Sequence, residues 1–422
     1  MYGFAVIGLA LLPLAAYAAC DINEKMIDAV KSGKVVTAKA SWWGFDPEDS
    51  TGALQAAIDS GAKRVIVDNL GRPWIVRPIK LASDQEVVFE PGVEVLAKPD
   101  EFKGTNDCLF KARNAKNITL TGRARLRMRR ADYAKPPYEK GEWRHVLSFC
   151  SCSNVRVEGL TLAESGGDGI YLGTATKGVT NKDITIKDVI CDSNYRQGIS
   201  VITAENLLIE NTIMRNTAGT NPQSGIDFEP NGPTECLKNI VMRNCRTENN
   251  AGQGYQFYLN FMDATSEPVS VRFENCVSAN EAGSSAWVST GNEPKQAVSG
   301  KIEFVDCVFE GAASAAASVG HVPPGGCRVR FENCRMRPAQ GAVAPIVIRS
   351  GARDTRALGG VEFVNCVVPD RPGRKPLVYT NGGKVPLQGV SGTLIVESDG
   401  ARQKIELTPE LLNEWTAAGG AK

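Results

Sequence analysis

The chain has 422 residues, and its 48 lysines and arginines balance 47 aspartates and glutamates to a formal charge of +1. This balance argues against general nucleic-acid binding, which needs a basic surface. Charged residues make up 23% and hydrophobic residues 42% of the chain, which excludes general disorder. The 12 cysteines are too few for a disulfide-stapled scaffold of this length.

The N-terminus has the pattern of an export signal. An apolar stretch from Phe4 to Ala19 contains Ala16-Tyr17-Ala18, the small-x-small pattern of a signal-peptidase site. The stretch is too short for a comfortable membrane span. We therefore predict that residues 1–19 are a signal peptide and that the mature protein is secreted or periplasmic, without a stable membrane span. Cys20, which follows the site, leaves a lipoprotein anchor open.

Residues 20–62 are predicted to form an N-terminal segment with a capping helix. Asp49, Ser50 and Thr51 are capping residues, and the apolar positions that follow have helical spacing up to a glycine at position 61. Strands are expected at residues 63–68 and 85–89. At the other end, residues 401–422 are predicted to form a second cap, because Thr408-Pro409-Glu410 has the pattern of a helix start.

Between the caps, a short strand motif repeats, with apolar and polar residues alternating up to a final Asn, Asp or Gly. Its copies start at Ile118, Val155, Ile184, Leu207, Ile240, Val271, Ile302, Val329 and Val361. From Val155 onward, successive copies start 23–33 residues apart. This distance is too long for a hairpin meander and too short for strand–helix units, and little helical periodicity separates the copies. The sequence therefore predicts an all-β fold over residues 63–400: a single-stranded right-handed parallel β-helix of about ten coils with short capping helices.

Two residue columns agree with this coil. The asparagines that end the motif are expected to stack at one bend, and they are Asn211, Asn244, Asn275, Asn333 and Asn365. The cysteines that follow them are interpreted as buried small apolar groups in place of a metal site, and they are Cys245, Cys276, Cys307, Cys334 and Cys366. We predict no metal site.

The segment from Trp43 to Ile58 resembles the N-terminal segment of the pectin-lyase-like superfamily, and the resemblance extends over about Trp42 to Val368. Later segments of the chain, such as 165–172 and 224–230, resemble polysaccharide-active β-helix proteins of glycosidase and lyase type. The resemblance implies a coil that acts on sugars, but lyases, glycosidases, epimerases and phage tailspikes share this coil. The sequence departs from the pattern of the polygalacturonases. Arg196-Gln197-Gly198 stands where those enzymes have an acidic pair, and Gly167-Asp168-Gly169 is the only partial match to their catalytic motifs.

A strand that contains a glycine recurs after each long turn. Aligned on that glycine, the next residue is expected to point inward and the one after it outward. In this superfamily the outward face forms the floor of the sugar cleft. The outward and neighbouring residues predicted to bind substrate are Arg144, His145, Tyr171, Arg196, Gln197, Gln256 and Tyr258.

Asp227 and Glu229 are the predicted catalytic pair, with Asp168 as an alternative partner. Two carboxylates on one face of a short strand have poor β-propensity and indicate a functional site. Residues i and i+2 on a strand lie about 6.6–6.8 Å apart, nearer the spacing of inverting than of retaining glycosidases. The leading hypothesis is therefore an exported inverting glycoside hydrolase acting on an extracellular polysaccharide or oligosaccharide, without a cofactor.

Two alternatives stay open. Arg123, Arg125, Arg127 and Arg129 form a basic stripe that would suit a polysaccharide lyase acting on uronates, with His145, Tyr171 or Arg144 as base and Ca²⁺ as an optional cofactor. The second alternative is a non-catalytic glycan-binding protein. The turns from Ser285 onward carry no outward acid, so they are expected to serve as scaffold. The sequence does not determine the oligomeric state.

Overall fold

The computed structural model describes residues 20–290, 297–351, 354–382 and 384–418. The predicted signal peptide at residues 1–19 lies outside the described residues. Within them the chain forms a parallel β-helix of about eleven turns, close to the ten predicted. No helix in this part of the chain is both long and apolar enough to cross a membrane.

The described strands form two sheets, in which strands of successive turns pair in parallel. We name them the front sheet and the back sheet. The front sheet has twelve strands: Ile79–Lys80, Phe110–Arg113, Leu147–Cys150, Asp168–Gly173, Gln197–Val201, Ser224–Phe228, Tyr255–Tyr258, Ser284–Ser289, Ala315–Gly320, Ile346–Ser350, Leu377–Asn381 and Thr416–Ala418.

The back sheet contains 24 strands, most of them in two consecutive segments per turn. They are Thr37–Lys39, Arg64–Val67, Trp74–Val76, Gln85–Phe89, Glu94–Ala97, Lys116–Gly122, Arg125–Arg127, Ser153–Glu158, Thr161–Ala163, Asn181–Lys187, Ile190–Asp192, Ala204–Glu210, Ile213–Arg215, Leu237–Arg243, Arg246–Glu248, Val269–Glu274, Val277–Ala279, Gly300–Val305, Val308–Glu310, Arg328–Glu332, Arg335–Arg337, Leu358–Pro369, Leu387–Ser398 and Ala401–Glu406. The last two form an antiparallel hairpin at the end of the coil.

The described helices are short and lie mostly at the two ends of the chain. They are Glu24–Lys31, Thr51–Ile58, Arg130–Tyr133 and Pro409–Glu414, with a 3-10 turn at Ala40–Trp43. The two predicted capping helices are confirmed. Thr408 caps the second, since its side-chain oxygen accepts the N–H of Leu411 at 3.3 Å. Parallel pairing already begins at Thr37–Lys39, within the predicted N-terminal segment.

The core consists of inward side chains that stack in columns along the coil, and each turn contributes one residue to each column. The third residue of each of the last four back-sheet motifs is a phenylalanine, and these rings stack, with Phe273 and Phe304 centred 4.5 Å apart and Phe331 and Phe363 centred 5.4 Å apart. On the front sheet, the inward column predicted after each glycine is confirmed. It consists of Ile170, Ile199, Ile226 and Tyr255, all fully buried and in register.

The Asn and Cys columns occupy the predicted places. The five asparagines have positive φ values of 50–54°, a conformation that Asn tolerates better than most residues. Their side chains bridge turns, as where Asn244 donates to Asn211 at 3.3 Å. The five cysteines are buried and unpaired as disulfides, and their thiols lie against backbone carbonyls such as Met242 O, 3.5 Å from Cys276. Both columns therefore contribute to turn geometry and to packing.

Glu281 is a buried carboxyl group outside the predicted site. It accepts hydrogen bonds from the N–H of Asn250 (2.8 Å) and the hydroxyl of Ser278 (3.2 Å). Burial raises the pKa of Glu281 to about 7, above its ordinary value of 4.5. The folded chain then binds the extra proton, so the associated stability is present at acidic pH and is lost as the pH rises through about 7.

We therefore expect Glu281→Gln to stabilise the protein at pH 8, by at most about 3 kcal/mol, and to have little effect at pH 4. The amide keeps an acceptor oxygen for Asn250 and removes the cost of a buried charge. Thermal unfolding at the two pH values measures the effect, with the exposed Glu267→Gln as control. An equal shift at both pH values would contradict this prediction.

Candidate active site

The candidate site lies on the front sheet, where four consecutive strands carry polar or aromatic side chains on their outer face. Tyr171, Ser200, Asp227 and Gln256 are direct neighbours in register, one per turn. The predicted outward column is therefore confirmed in its geometry. Asp168 and Gln197 form a second pair of neighbours three residues earlier.

Asp227 is held by two amide side chains. Gln197 Nε2 donates to Asp227 Oδ2 at 3.0 Å, and Gln256 Nε2 donates to the same oxygen at 3.1 Å. The Asp227 side chain is fully buried although it belongs to the outward column. The neighbouring side chains therefore enclose the carboxyl group and fix its orientation.

Glu229 comes directly after the same strand and is held by an arginine. Its backbone N–H donates to Val201 O at 3.0 Å, which extends the pairing by one residue beyond the strand. Arg196 Nη2 donates to Glu229 Oε2 at 2.8 Å. Arg196 and Gln197 are consecutive, so one dipeptide of the preceding turn binds both predicted catalytic carboxyl groups.

The two carboxyl groups have different electrostatic surroundings. Burial raises the pKa of Asp227 well above its ordinary value, and the charge of Glu229 raises it further, whereas Arg196 opposes the shift. Burial by itself would lower the pKa of Arg196, but Asp168 and Glu229 raise it. Burial and the charge of Glu229 therefore favour the protonated form of Asp227, which lies beside an Arg196–Glu229 ion pair.

Asp168, His145 and Tyr171 lie on the N-terminal side of this pair. His145 Nδ1 accepts the backbone N–H of Asp168 at 3.0 Å and lies 3.2 Å from Asp168 Oδ2. Nδ1 of His145 therefore lies next to both a backbone N–H and a carboxylate oxygen of the same residue. The His145 ring stacks on Tyr171, with centroids 4.5 Å apart and planes 1° apart. Burial raises the pKa of Tyr171, which opposes a role for the phenol as a base.

Polar atoms without partners are concentrated on these turns. Six buried side-chain atoms make no hydrogen bond to any protein atom that the structure describes: Asp168 Oδ1 and Oδ2, Arg196 Nε, Gln197 Oε1, Ser200 Oγ and Asp227 Oδ1. Buried polar groups in folded proteins are normally paired, and unpaired ones need an explanation. Six such atoms across three turns leave hydrogen-bonding capacity that water or a ligand would complete.

A pocket of about 320 Å³ adjoins the cluster on the loop side. Trp143 and Tyr195 line it together with Lys140, Gly141, Glu142 and Thr220. Glu142 Oε2 lies 3.7 Å from Arg196 Nε, so the pocket wall is continuous with the residues that hold the carboxyl pair. Trp143 is 43% exposed. The predicted site did not include these pocket residues or Ser200. The loop at residues 131–142, which contains Tyr133 and Tyr138 and which we call the aromatic loop, directly precedes Trp143 and was a signal for the pocket.

Arg144 does not line the cleft, contrary to the prediction. It is fully buried, and its guanidinium donates to the carbonyls of Phe102 (2.8 Å), Lys103 (3.2 Å) and Glu139 (3.0 Å). Its charged end also lies 5.4 Å from the centroid of the Tyr133 ring. Arg144 therefore holds the aromatic loop against the coil and does not face substrate.

The arginine stripe is also placed elsewhere. Arg125 and Arg127 lie on the back sheet, where Arg127 Nε contacts Glu94 at 2.8 Å and Arg125 Nη2 contacts Glu164 at 3.2 Å. Both guanidinium groups are thus paired with carboxylates at the back sheet, away from the front sheet. The expectation that they neutralise a uronate in the cleft is therefore wrong. Among the described residues, no group of three or more His, Cys, Asp or Glu side chains is arranged to hold a metal ion.

Comparison with known proteins agrees with this architecture. The family described as "Right handed beta helix region" matches residues 146–336, the part of the chain that contains Asp168, Arg196, Asp227 and Glu229. No curated protein matches the chain.

Solved structures match over most of its length. The A-module of the mannuronan C-5 epimerase of Azotobacter vinelandii has a TM-score of 0.59 at 14% identity, over 91% of this chain and 100% of that one. A tailspike protein of an E. coli bacteriophage, in complex with a pentasaccharide, has a TM-score of 0.61 at 14% identity, over 88% of this chain and 66% of that one. The family 28 exopolygalacturonase of Yersinia enterocolitica has a TM-score of 0.54 at 12% identity, over 87% and 76%. At such identities the likeness shows the fold alone. The chain thus has a right-handed parallel β-helix fold.

Proposed function

We propose that the protein is an exported glycoside hydrolase that cleaves an extracellular polysaccharide with inversion of configuration. The observation that carries the proposal is the pair of carboxyl groups in unlike surroundings: a buried Asp227 held by two glutamine amides, two residues from a Glu229 that is paired with Arg196. General acid–base hydrolysis needs one carboxyl group that gives a proton and one that takes a proton. Three structural neighbours support a sugar substrate, because they are an exopolygalacturonase, a mannuronan epimerase and a tailspike in complex with a pentasaccharide.

In the proposed reaction Asp227 donates its proton to the glycosidic oxygen as the bond to the anomeric carbon breaks. Glu229 accepts a proton from a water molecule, whose oxygen attacks the same carbon from the opposite side. The strand spacing of about 6.6–6.8 Å between residues i and i+2 leaves room for that water. Asp168 is the alternative second carboxylate, because its two oxygens have no hydrogen-bond partner among the described residues.

The remaining predicted residues would bind and orient the sugar. Gln197 Oε1 and Ser200 Oγ offer unpaired polar atoms next to Asp227 Oδ1. Gln256 binds the carboxyl group of Asp227. His145, Tyr171 and Tyr258 lie on neighbouring turns of the front sheet. Because the Asp227 carboxyl is buried, substrate has to displace side chains at the surface of the site, a rotamer change that is common on binding.

Digestion of a panel of polysaccharides, with mass analysis of the fragments, tests the proposal. Hydrolysis adds one water per cut, and the anomeric configuration of the first product shows inversion. A lyase, the alternative from the sequence, would leave an unsaturated uronate that absorbs in the ultraviolet. Binding without any product would identify a non-catalytic glycan-binding protein, and either result would overturn the proposal.

The rate should depend on pH in a direction set by Asp227. Because the acid must be protonated, kcat is expected to fall on the alkaline side as Asp227 loses its proton, at a pH above the ordinary range of an aspartate. A pH–rate profile with the polysaccharide that is cleaved measures this limb. An activity that rises steadily up to pH 10 would contradict the assignment of Asp227 as the acid.

A further inference from the structure

Aromatic side chains continue the outer face of the front sheet beyond the carboxyl pair. Trp287 is the register neighbour of Gln256, which is itself the neighbour of Asp227. Trp287 thus lies two strands from Asp227 in the same column, about 9.5 Å away along the coil axis. Tyr258 lies on the strand between them. The turns from Ser285 onward, expected to be scaffold, therefore begin with an aromatic residue in line with the site.

Three rings form one cluster there. The rings of Tyr258 and Trp287 are nearly parallel, with centroids 6.4 Å apart and planes 7° apart. Phe261 packs edge-on against Tyr258 at 5.8 Å and is itself 53% exposed. The core does not need these rings, because Phe257 and Val288 fill the adjacent inward positions.

The turn that carries Phe261 is fixed from both sides. Met262, the next residue, is buried, and its N–H donates to Leu259 O at 3.1 Å. Asn260 accepts the hydroxyl of Ser289 at 3.0 Å, which ties the turn to the next strand. The backbone that carries Phe261 is therefore held in place before any ligand binds, and its ring rests on Tyr258, which lowers the entropy cost of binding.

We propose that Tyr258, Phe261 and Trp287 form a carbohydrate platform that binds pyranose units of the polysaccharide one or two residues away from the cleaved bond. The inference rests on the proposed function, since it deepens the same site. One face of a pyranose ring carries C–H groups that pack against an aromatic ring, while its hydroxyl groups remain available to polar neighbours. The platform follows the acids along the axis, so a chain lying over Asp227 reaches it without bending.

The test uses the polysaccharide that the wild-type protein degrades and its purified oligosaccharides of increasing length. Trp287→Ala and Phe261→Ala are each expected to lower kcat/KM for long substrates by about tenfold, mainly through KM. The shortest substrate that is cleaved should be affected less than about twofold. Val343→Ala, which truncates an exposed apolar side chain on a later turn, is the control. Trp287→Phe should restore part of the affinity.

A second readout does not depend on turnover. Oligosaccharide added to the Asp227→Asn protein should change its tryptophan fluorescence, and Trp287→Phe in that background should remove most of the change. Variants that lose the same factor for every substrate length would overturn the platform and leave the hydrolase standing. Loss of self-association in Phe261→Ala, with glycan affinity unchanged, would overturn it in favour of a contact between two copies. If the wild type neither cleaves nor binds any polysaccharide of the panel, the proposed function fails and the platform with it.

Discussion

Replacing Asp227 with asparagine is expected to lower kcat by about 10²–10⁴-fold while the coil remains folded. The amide has the same shape and can still interact with Gln197 and Gln256, but it has no proton to give to a leaving group. Glu229→Gln should cause a loss of similar size, because the attacking water then lacks its base. Since the two groups act together, the double variant is expected to be hardly worse than either single one.

The Asp227→Asn substitution should also stabilise the protein at neutral pH. The folded-state pKa of Asp227 lies well above its ordinary value of 3.8, so the folded chain binds more protons than the unfolded chain above that pH. The stability contributed by the protonated group is present below pH 3.8 and is lost as the pH rises through the folded-state pKa. The asparagine side chain carries no charge at any pH, so the stabilisation that it gives should appear at pH 7 and vanish at pH values below 3.8. Residues that serve a function often lower the stability of the folded protein, so replacing them can raise it.

Activity assays and thermal unfolding at neutral and acidic pH test both effects together. Asp183, an exposed residue of the back-sheet strand Asn181–Lys187, is changed to asparagine as the control for a loss of carboxylate charge away from the site. Retention of wild-type activity in both Asp227→Asn and Glu229→Gln would show that the catalytic pair is elsewhere. A loss of activity that accompanies a large loss of stability at all pH values would show that Asp227 is a structural residue.

The sequence was sufficient to predict the coil because its repeat is local. Each copy of the motif carries its own inward residues and its own turn residue, so Phe273 and Asn275 occupy positions equivalent to those of Phe331 and Asn333 two turns later. The register on the front sheet followed for the same reason: aligning Gly198 with Gly225 was enough to place Asp227 beside Ser200.

What the sequence could not provide were contacts between turns that depend on side-chain length and direction. Arg144 reaches Phe102 O across 42 residues of chain, and nothing in the local pattern distinguishes it from an arginine that faces the cleft. Arg127 finds Glu94 33 residues away on the neighbouring turn. The burial of Asp227, which sets its charge state, likewise results from Gln197 and Gln256 on two other turns.

Arg196 provides the second large effect. Its guanidinium is mostly buried and lies among four carboxyl groups, those of Glu142, Asp168, Asp227 and Glu229. Arg196→Met leaves Glu229 without its partner and the site without its positive charge. Breaking a buried ion pair from one side costs about 3–5 kcal/mol, so we expect a lower melting temperature and a loss of about 10²-fold or more in kcat.

The pH profile separates this role from simple unfolding. Arg196 is one of the groups that lowers the pKa of Asp227, against the larger effect of burial. Without Arg196 the pKa of Asp227 rises further, so the alkaline limb of kcat should move to higher pH in Arg196→Met. Arg196→Lys keeps the charge but not the geometry of the fork, so its limb should stay near that of the wild type while kcat falls. Residual activity in Arg196→Met with an unmoved alkaline limb would show that Arg196 does not act on the acid and that its contribution is confined to holding Glu229 in place.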